Sequence, residues 1–167
     1  AADGSSSSTI TITVKDYANA AIVGITPSFI ATDTGSTNNY GTCSSTNGSG
    51  VSTCTLKSTR AETKTLSLSS PISFAGGTVV FTQAASSSNS SITGTGPVTA
   101  NGASTSTVTI TLKDYSNLAM VGVTPTFTAT NTGGGNSYGS CSSTDGTGVS
   151  TCTMTSTKAE TKTLSIS

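Results

Sequence analysis

Thr9-Ile10-Thr11-Ile12-Thr13-Val14 decides the fold. In an extended chain Ile10, Ile12 and Val14 point to one face and the threonines to the other, the period-two pattern of a strand with one wet side. Phe29 with Ala31, Leu66 with Leu68, and Val79 with Phe81 repeat it. Gly-, Asn- and Ser-rich turns separate these runs, and no window carries a helical stripe. The pattern predicts strands near 7–16, 22–33, 39–45, 51–58, 63–70 and 77–83. Six or seven short strands in about 100 residues point to an immunoglobulin-like sandwich.

The opening run continues as Thr11-Ile12-Thr13-Val14-Lys15-Asp16-Tyr17 and returns 98 residues later as Thr109-Ile110-Thr111-Leu112-Lys113-Asp114-Tyr115. The match runs without a gap from Ala1/Thr99 to Ser69/Ser167, with roughly two-thirds of positions identical. A period this long exceeds a solenoid unit and fits an independent domain. The predicted architecture is all-β: tandem immunoglobulin-like β-sandwiches, with module 1 over residues 1–84, a Ser-rich linker over 85–91 and module 2 over 92–167. Copy 1 continues through Thr78-Val79-Val80-Phe81-Thr82, whereas copy 2 has an extra lead-in, Ser91-Ile92-Thr93-Gly94-Thr95-Gly96-Pro97-Val98. Module 1 is therefore expected to lack its opening strand and module 2 its closing strand. Such a chain reads as a window on a longer array, or as a subunit whose missing strands come from another subunit.

Serine and threonine make up about 40% of the chain, charged residues 8%, and there is no His or Trp. Seven basic and seven acidic residues leave no electrostatic footprint for nucleic acid or an anionic membrane. No apolar run approaches the length of a membrane span.

Each copy holds two cysteines, Cys43 and Cys54, then Cys141 and Cys152. Between them lies a turn signal, Asn47-Gly48-Ser49-Gly50 or Asp145-Gly146-Thr147-Gly148. Four cysteines allow three pairings, of which only the within-copy pairing is local. Each pair is equidistant from its turn, so a regular hairpin sets the two opposite one another, within disulfide reach. Zinc would ask for closer cysteines or histidines. The pairs are read as disulfides of an oxidising compartment.

Ala2-Asp3-Gly4-Ser5 leading into Thr9–Asp16 resembles the opening of bacterial group 1 Ig-like domains, the repeats of intimin and invasin. Ala21-Ile22-Val23-Gly24-Ile25-Thr26-Pro27-Ser28-Phe29 and the hairpin Thr46–Thr59 are similar to further segments of that family, as is Arg60-Ala61-Glu62-Thr63. Copy 2 carries the same words, including Thr144-Asp145-Gly146 and Thr157-Lys158-Ala159. The cysteine pairs and Tyr17/Tyr115 depart from the family pattern. The resemblance implies an extracellular protein of the bacterial cell surface whose modules act as rigid spacers beside neighbouring repeats.

Without histidine a Ser-His-Asp or Cys-His arrangement is impossible, and the chain is expected not to be an enzyme or to carry a cofactor. Asp3 and Asp33 are replaced by Asn101 and Asn131 in copy 2, so the copies do not share most candidate carboxylate pairs. Three further readings stand beside the spacer. Lys15 or Lys113 forms an isopeptide staple to an Asn or Asp, which needs a buried lysine and a neighbouring acid such as Glu62; Asp3 or Asp33 holds calcium; or Tyr17, Tyr40, Tyr115 and Tyr138 form a carbohydrate-binding face rather than packing at sandwich rims. Asn47-Gly48-Ser49 and Asn89-Ser90-Ser91 fit the glycosylation sequon. The functional alternatives are a filament or sheath subunit completed by strand addition between identical subunits, and a module binding host protein or glycan through loops 33–39 and 131–137.

Overall fold

The computed structural model describes residues 1–35 and 37–167, so Ser36, within the candidate binding loop 33–39, lies outside the described residues. Those residues divide into two units, Ala1–Ala84 and Ala85–Ser167, and contain no helix. Each unit is an all-β Ig-like sandwich.

Unit 1 comprises β1 (Ser8–Thr13), β2 (Ser28–Ala31), β3 (Asn38–Tyr40), β4 (Val51–Ser58), β5 (Thr63–Ser70) and β6 (Phe74–Val80). One sheet runs β1-β4-β3 and the other β2-β5-β6. The alternation expected from sequence sets the inner faces: Ile10 is buried in β1, Phe29 in β2, and Ser52, Cys54, Leu56 and Ser58 in β4. Ala2, Ile10, Phe29, Cys54, Leu56 and Phe81 form one cluster between the sheets. The two serines at the ends of this β4 face are satisfied locally. Ser52 Oγ donates to the Ser44 carbonyl at 2.6 Å and Ser58 Oγ to the Arg60 carbonyl at 3.3 Å, so burial strands neither hydroxyl.

Unit 2 comprises β7 (Ser91–Gly94), β8 (Ser106–Thr111), β9 (Phe127–Ala129), β10 (Asn136–Tyr138), β11 (Val149–Ser156) and β12 (Leu164–Ile166). Its sheets run β10-β11-β8-β7 and β12-β9, and its cluster joins Val108, Ile110, Leu112, Phe127, Cys152 and Met154. Residues 85–91, expected as a connector, are folded onto this unit. Ala85 bridges Asp114, the Ser86 amide donates to the Lys113 carbonyl at 2.9 Å, and Ser86 is buried. The polar side chains that made the stretch read as a linker are instead the groups that bind it to the strand end.

The strands over 51–58 and 63–70 lie where the pattern sets them, the one expected over 77–83 is displaced to Phe74–Val80, and others are shorter. The span 22–33 contracts to Ser28–Ala31 because residues before it turn: Gly24 has φ 82°, and the Gly24 amide bonds the Thr46 carbonyl. The span 39–45 contracts to Asn38–Tyr40 because the register to β4 slips along it. Gly41 N–H donates to Thr55, Ser44 to Thr53 and Asn47 to Val51, so the partner numbers no longer change in step. Gly50 (φ 74°) closes this hairpin, and an added Cβ would lie 2.4 Å from the Val14 carbonyl oxygen.

Leu56 is fully buried at the centre of the β4 face. Leu56→Ala is expected to lower unfolding free energy by about 2–5 kcal/mol in a denaturant titration. Ile30→Ala, on the exposed face of β2, is expected to stay within about 0.5 kcal/mol of the parent.

Candidate functional site

Three features recur in both copies at equivalent positions: a cystine across a hairpin, a charged cluster on a loop, and a tyrosine over a core phenylalanine. Cys54 lies on the inner face of β4, and Cys43 on the irregular segment that follows β3. The structure joins them, with Cα atoms 4.1 Å apart, and joins Cys141 to Cys152 at 4.2 Å. Cys54 and Cys152 are buried within the core clusters. The cystine thus ties the register-slipped arm, which has few ladder bonds of its own, to the central strand.

The charged cluster was not anticipated. Lys64 sits on the same inward parity as Leu66 and Leu68 in β5 and is wholly buried. Its ammonium donates to Glu62 Oε1 and lies 3.8 Å from Asp33 Oδ1. Glu62 also accepts from the Thr34 amide and hydroxyl, and Arg60 Nε stands 3.6 Å from its other oxygen. The hydrogen bonds from Lys64 and then Thr34 hold the Glu62 carboxyl below its ordinary range. Partial desolvation pushes Asp33 up, but the Thr37 and Asn38 amides and Lys64 outweigh it and lower its pKa. In unit 2 Lys162 donates to Glu160, which accepts from the Thr132 amide and hydroxyl. Lys162 first and Thr132 second hold Glu160 at about 2. In both units the carboxylate staples a loop to a strand, and its lone pairs are spent on that task.

Lys15, considered for an isopeptide staple, is exposed and donates to Asn19 Oδ1 at 3.0 Å; Asp16 caps the same turn through the Ala20 amide. The burial that such a bond needs belongs to Lys64 instead. Asp3 closes an Asx turn, accepting from the Ser5 and Ser6 amides and the Ser6 hydroxyl, whose bond is the first cause of its pKa of about 2. Among the described residues no group of three Cys, Asp or Glu side chains converges as a metal site. Tyr40 and Tyr138 stand edge-on to Phe29 and Phe127, with ring centroids 5.3 and 5.2 Å apart. Each hydroxyl bonds the neighbouring strand, at Ala31 and Ala129. Those two are rim packing. Tyr17 is fully exposed and Tyr115 less so. Asn47 Oδ1 braces its turn by accepting from Ser49 and Val51, and Asn89 Nδ2 donates to the Asp114 carbonyl at 2.8 Å. A glycan at Asn89 would compete with that bond.

Each unit also contains a groove. In unit 1 a space of about 500 Å³ lies beside β1, between Ile10, Ile12, Leu66 and Val79. In unit 2 a space of about 460 Å³ is lined by Ala100, Met154, Lys162 and Leu164. Ala2 and Leu56, the unit 1 counterparts of Ala100 and Met154, belong to one core cluster with Phe81.

The chain is similar in fold to the Escherichia coli adhesin FdeC: TM-score 0.65 and 22% identity, over 98% of this chain and 55% of that one. It also aligns with invasin, described as a bacterial integrin-binding protein, at TM-score 0.46 and 20% identity, over 99% of this chain and 33% of that one. The D0–D1 domains of intimin align at TM-score 0.40 and 27% identity, over 99% and 84%. This chain therefore spans a third of invasin and about half of FdeC. No family model matches the sequence, and no curated protein matches it.

Two measurements check the staples. Reduction under denaturing conditions is expected to add about 4 Da, and removing one pair as Cys43→Ala with Cys54→Ala to cost about 3 kcal/mol of stability. The carboxylate bridges predict acid sensitivity. A folded-state pKa of about 2 for Glu160 lies below the ordinary carboxyl value of about 4.3. Its contribution is therefore complete above pH about 4.3 and is lost as pH falls through about 2. The thermal midpoint by circular dichroism should drop across that window, and Glu160→Gln should make the drop shallower.

Proposed function

We propose that these residues are a pair of structural modules of a bacterial surface protein of the group 1 Ig-like kind. They act as disulfide-stapled spacers in an adhesin stalk or fibre beside neighbouring repeats. The supporting observation is the repetition itself: the same core, cystine and loop staple are built twice. The differences within the core exchange one apolar side chain for another, Ile10/Val108, Val14/Leu112 and Leu56/Met154, while the cysteines, Glu62/Glu160 and Lys64/Lys162 are shared. The adhesin fold of FdeC supports the same reading. A spacer needs a body that resists extension, and paired strands with a covalent clip supply one. The cystine at Cys43–Cys54 keeps the intervening residues from paying out under load until it is reduced. No enzymatic step is assigned to the module.

A second reading, a filament subunit completed by strand addition, draws on the open outer edge of β1, which among the described residues has β4 as its only ladder partner. The third, binding of host protein or glycan, places its contacts on loops 33–39 and 131–137.

An antibody raised against the folded chain should label unpermeabilised source cells and lose that label after protease shaving. Labelling only after permeabilisation would sink the surface reading. Regular fibres grown from the purified chain alone would favour the filament, and saturable glycan-array binding would favour the third reading.

A further inference from the structure

A lysine with no exposed surface needs a reason, and in unit 1 the reason lies on the neighbouring strand. Ala31 on β2 pairs with Leu66 on β5. The Thr32 amide then donates to the Thr65 carbonyl, and the Thr65 amide to Thr32 Oγ1, both at 3.0 Å. One step further along the same register Asp33 stands opposite Lys64. Lys64 is wholly buried, its Nζ 3.8 Å from Asp33 Oδ1 and bonded to Glu62 Oε1. Backbone amides hold both oxygens of Asp33: Thr37 donates to Oδ1 at 2.9 Å and Asn38 to Oδ2 at 3.3 Å. Glu62 is fixed in turn by the Thr34 amide and hydroxyl. An amine nitrogen, a carboxyl carbon whose oxygens face two amide donors, and a second carboxylate in contact with the amine are thus gathered in one place.

We propose that Lys64 and Asp33 condense into an intramolecular amide, Nζ to Cγ, with Glu62 as the proton relay. Ammonium and carboxylate give amide and water, so atoms and charge balance with no co-reactant. Glu62 takes a proton from the Lys64 ammonium through the existing hydrogen bond, and the freed lone pair attacks Asp33 Cγ. The negative charge that collects on the Asp33 oxygens is met by the Thr37 and Asn38 amides, in the manner of an oxyanion hole. Glu62 passes its proton, and then the second proton lost by the nitrogen, to one Asp33 oxygen. The C–O bond breaks, water leaves on the open side of the loop, and Glu62 is again a carboxylate. Two physical effects favour the step: held reactants have a large effective concentration, and a neutral amide removes the desolvation cost of a buried cation. Asp33 is the acyl partner because it lies across the ladder, whereas Glu62 is two residues from the lysine in the chain and serves as relay. The bond would enclose the Cys43–Cys54 cystine within the loop 33–64 and anchor the end of β2 to β5 independently of it. In unit 2 the register sets Asn131 opposite Lys162, which keeps some exposure, and the proposal is confined to unit 1. It rests on the geometry of that unit and not on the surface reading.

The test is the mass of the folded full chain, held at neutral pH and then reduced and denatured. It is expected about 18 Da below the sequence mass, the loss of one water. Trypsin should fail to cut after Lys64 and should release residues 16–57 joined to residues 61–113. Asp33→Ala and Lys64→Arg should each show the full mass of its own sequence. Asp33→Asn should reach the same final mass as the condensed parent, because ammonia then leaves in place of water and the product is the same amide. Glu62→Gln should lower the condensed fraction at least about tenfold over the same incubation. The proposal is overturned if the parent keeps its full sequence mass with Lys64 open to trypsin, a result that needs no variant to fold. It is also overturned if the missing water maps to a Lys64–Glu62 link or to other residues, if it survives in Asp33→Ala, or if Glu62→Gln condenses as fully as the parent. Antibody labelling of cells does not depend on this bond, so the two readings fail separately.

Discussion

The inner face of β4, with its counterpart β11, is the constraint on which each unit depends. Ser52, Cys54, Leu56 and Ser58 line one side of a single strand, and β1 and β3 pair with its two edges. Leu56 and Cys54 join the core, while the serines anchor the turns at either end through the Ser44 and Arg60 carbonyls. A domain with so few large apolar side chains has little hydrophobic stabilisation to spare. It compensates by making its central strand serve as core, as ladder and as attachment point for the cystine.

That economy explains the unusual composition. Serine and threonine are poor core material, but the buried hydroxyls of Thr46, Ser52, Ser58, Thr144 and Ser150 each reach a backbone group. Thr46 illustrates the rule: its Oγ1 accepts from the Ile25 amide while its own amide donates to the Ile25 carbonyl. The loop clusters apply the same logic with charge. Glu62 and Lys64 bury a cation by giving it a carboxylate, and that carboxylate holds the loop through Thr34. Burying the lysine without its partner would leave an uncompensated charge, which is strongly destabilising.

Much of this was legible in the sequence, and the rest failed for identifiable reasons. Period-two alternation located β4 and β5 because both are long and buried on one face. It overextended β2 and β3, where Gly24 turns the chain and the ladder slips between Gly41 and Asn47; slippage leaves no trace in a hydrophobic pattern. Lys64 could have been found, since it shares parity with Leu66 and Leu68. Its partnership with Asp33 is a contact between residues 31 apart and has no local signature. The Ser-rich stretch before Ile92 reads as a connector because a polar segment bound through its own side chains has the composition of a free one.

The docked stretch from Ala85 to Gly94 bears on how such a gene can be cut and rejoined. The folded bodies divide between Ala84 and Ala85. Recombination at that point would exchange whole bodies, while a cut after Gly94 would part a sandwich from the strand that lies along its edge.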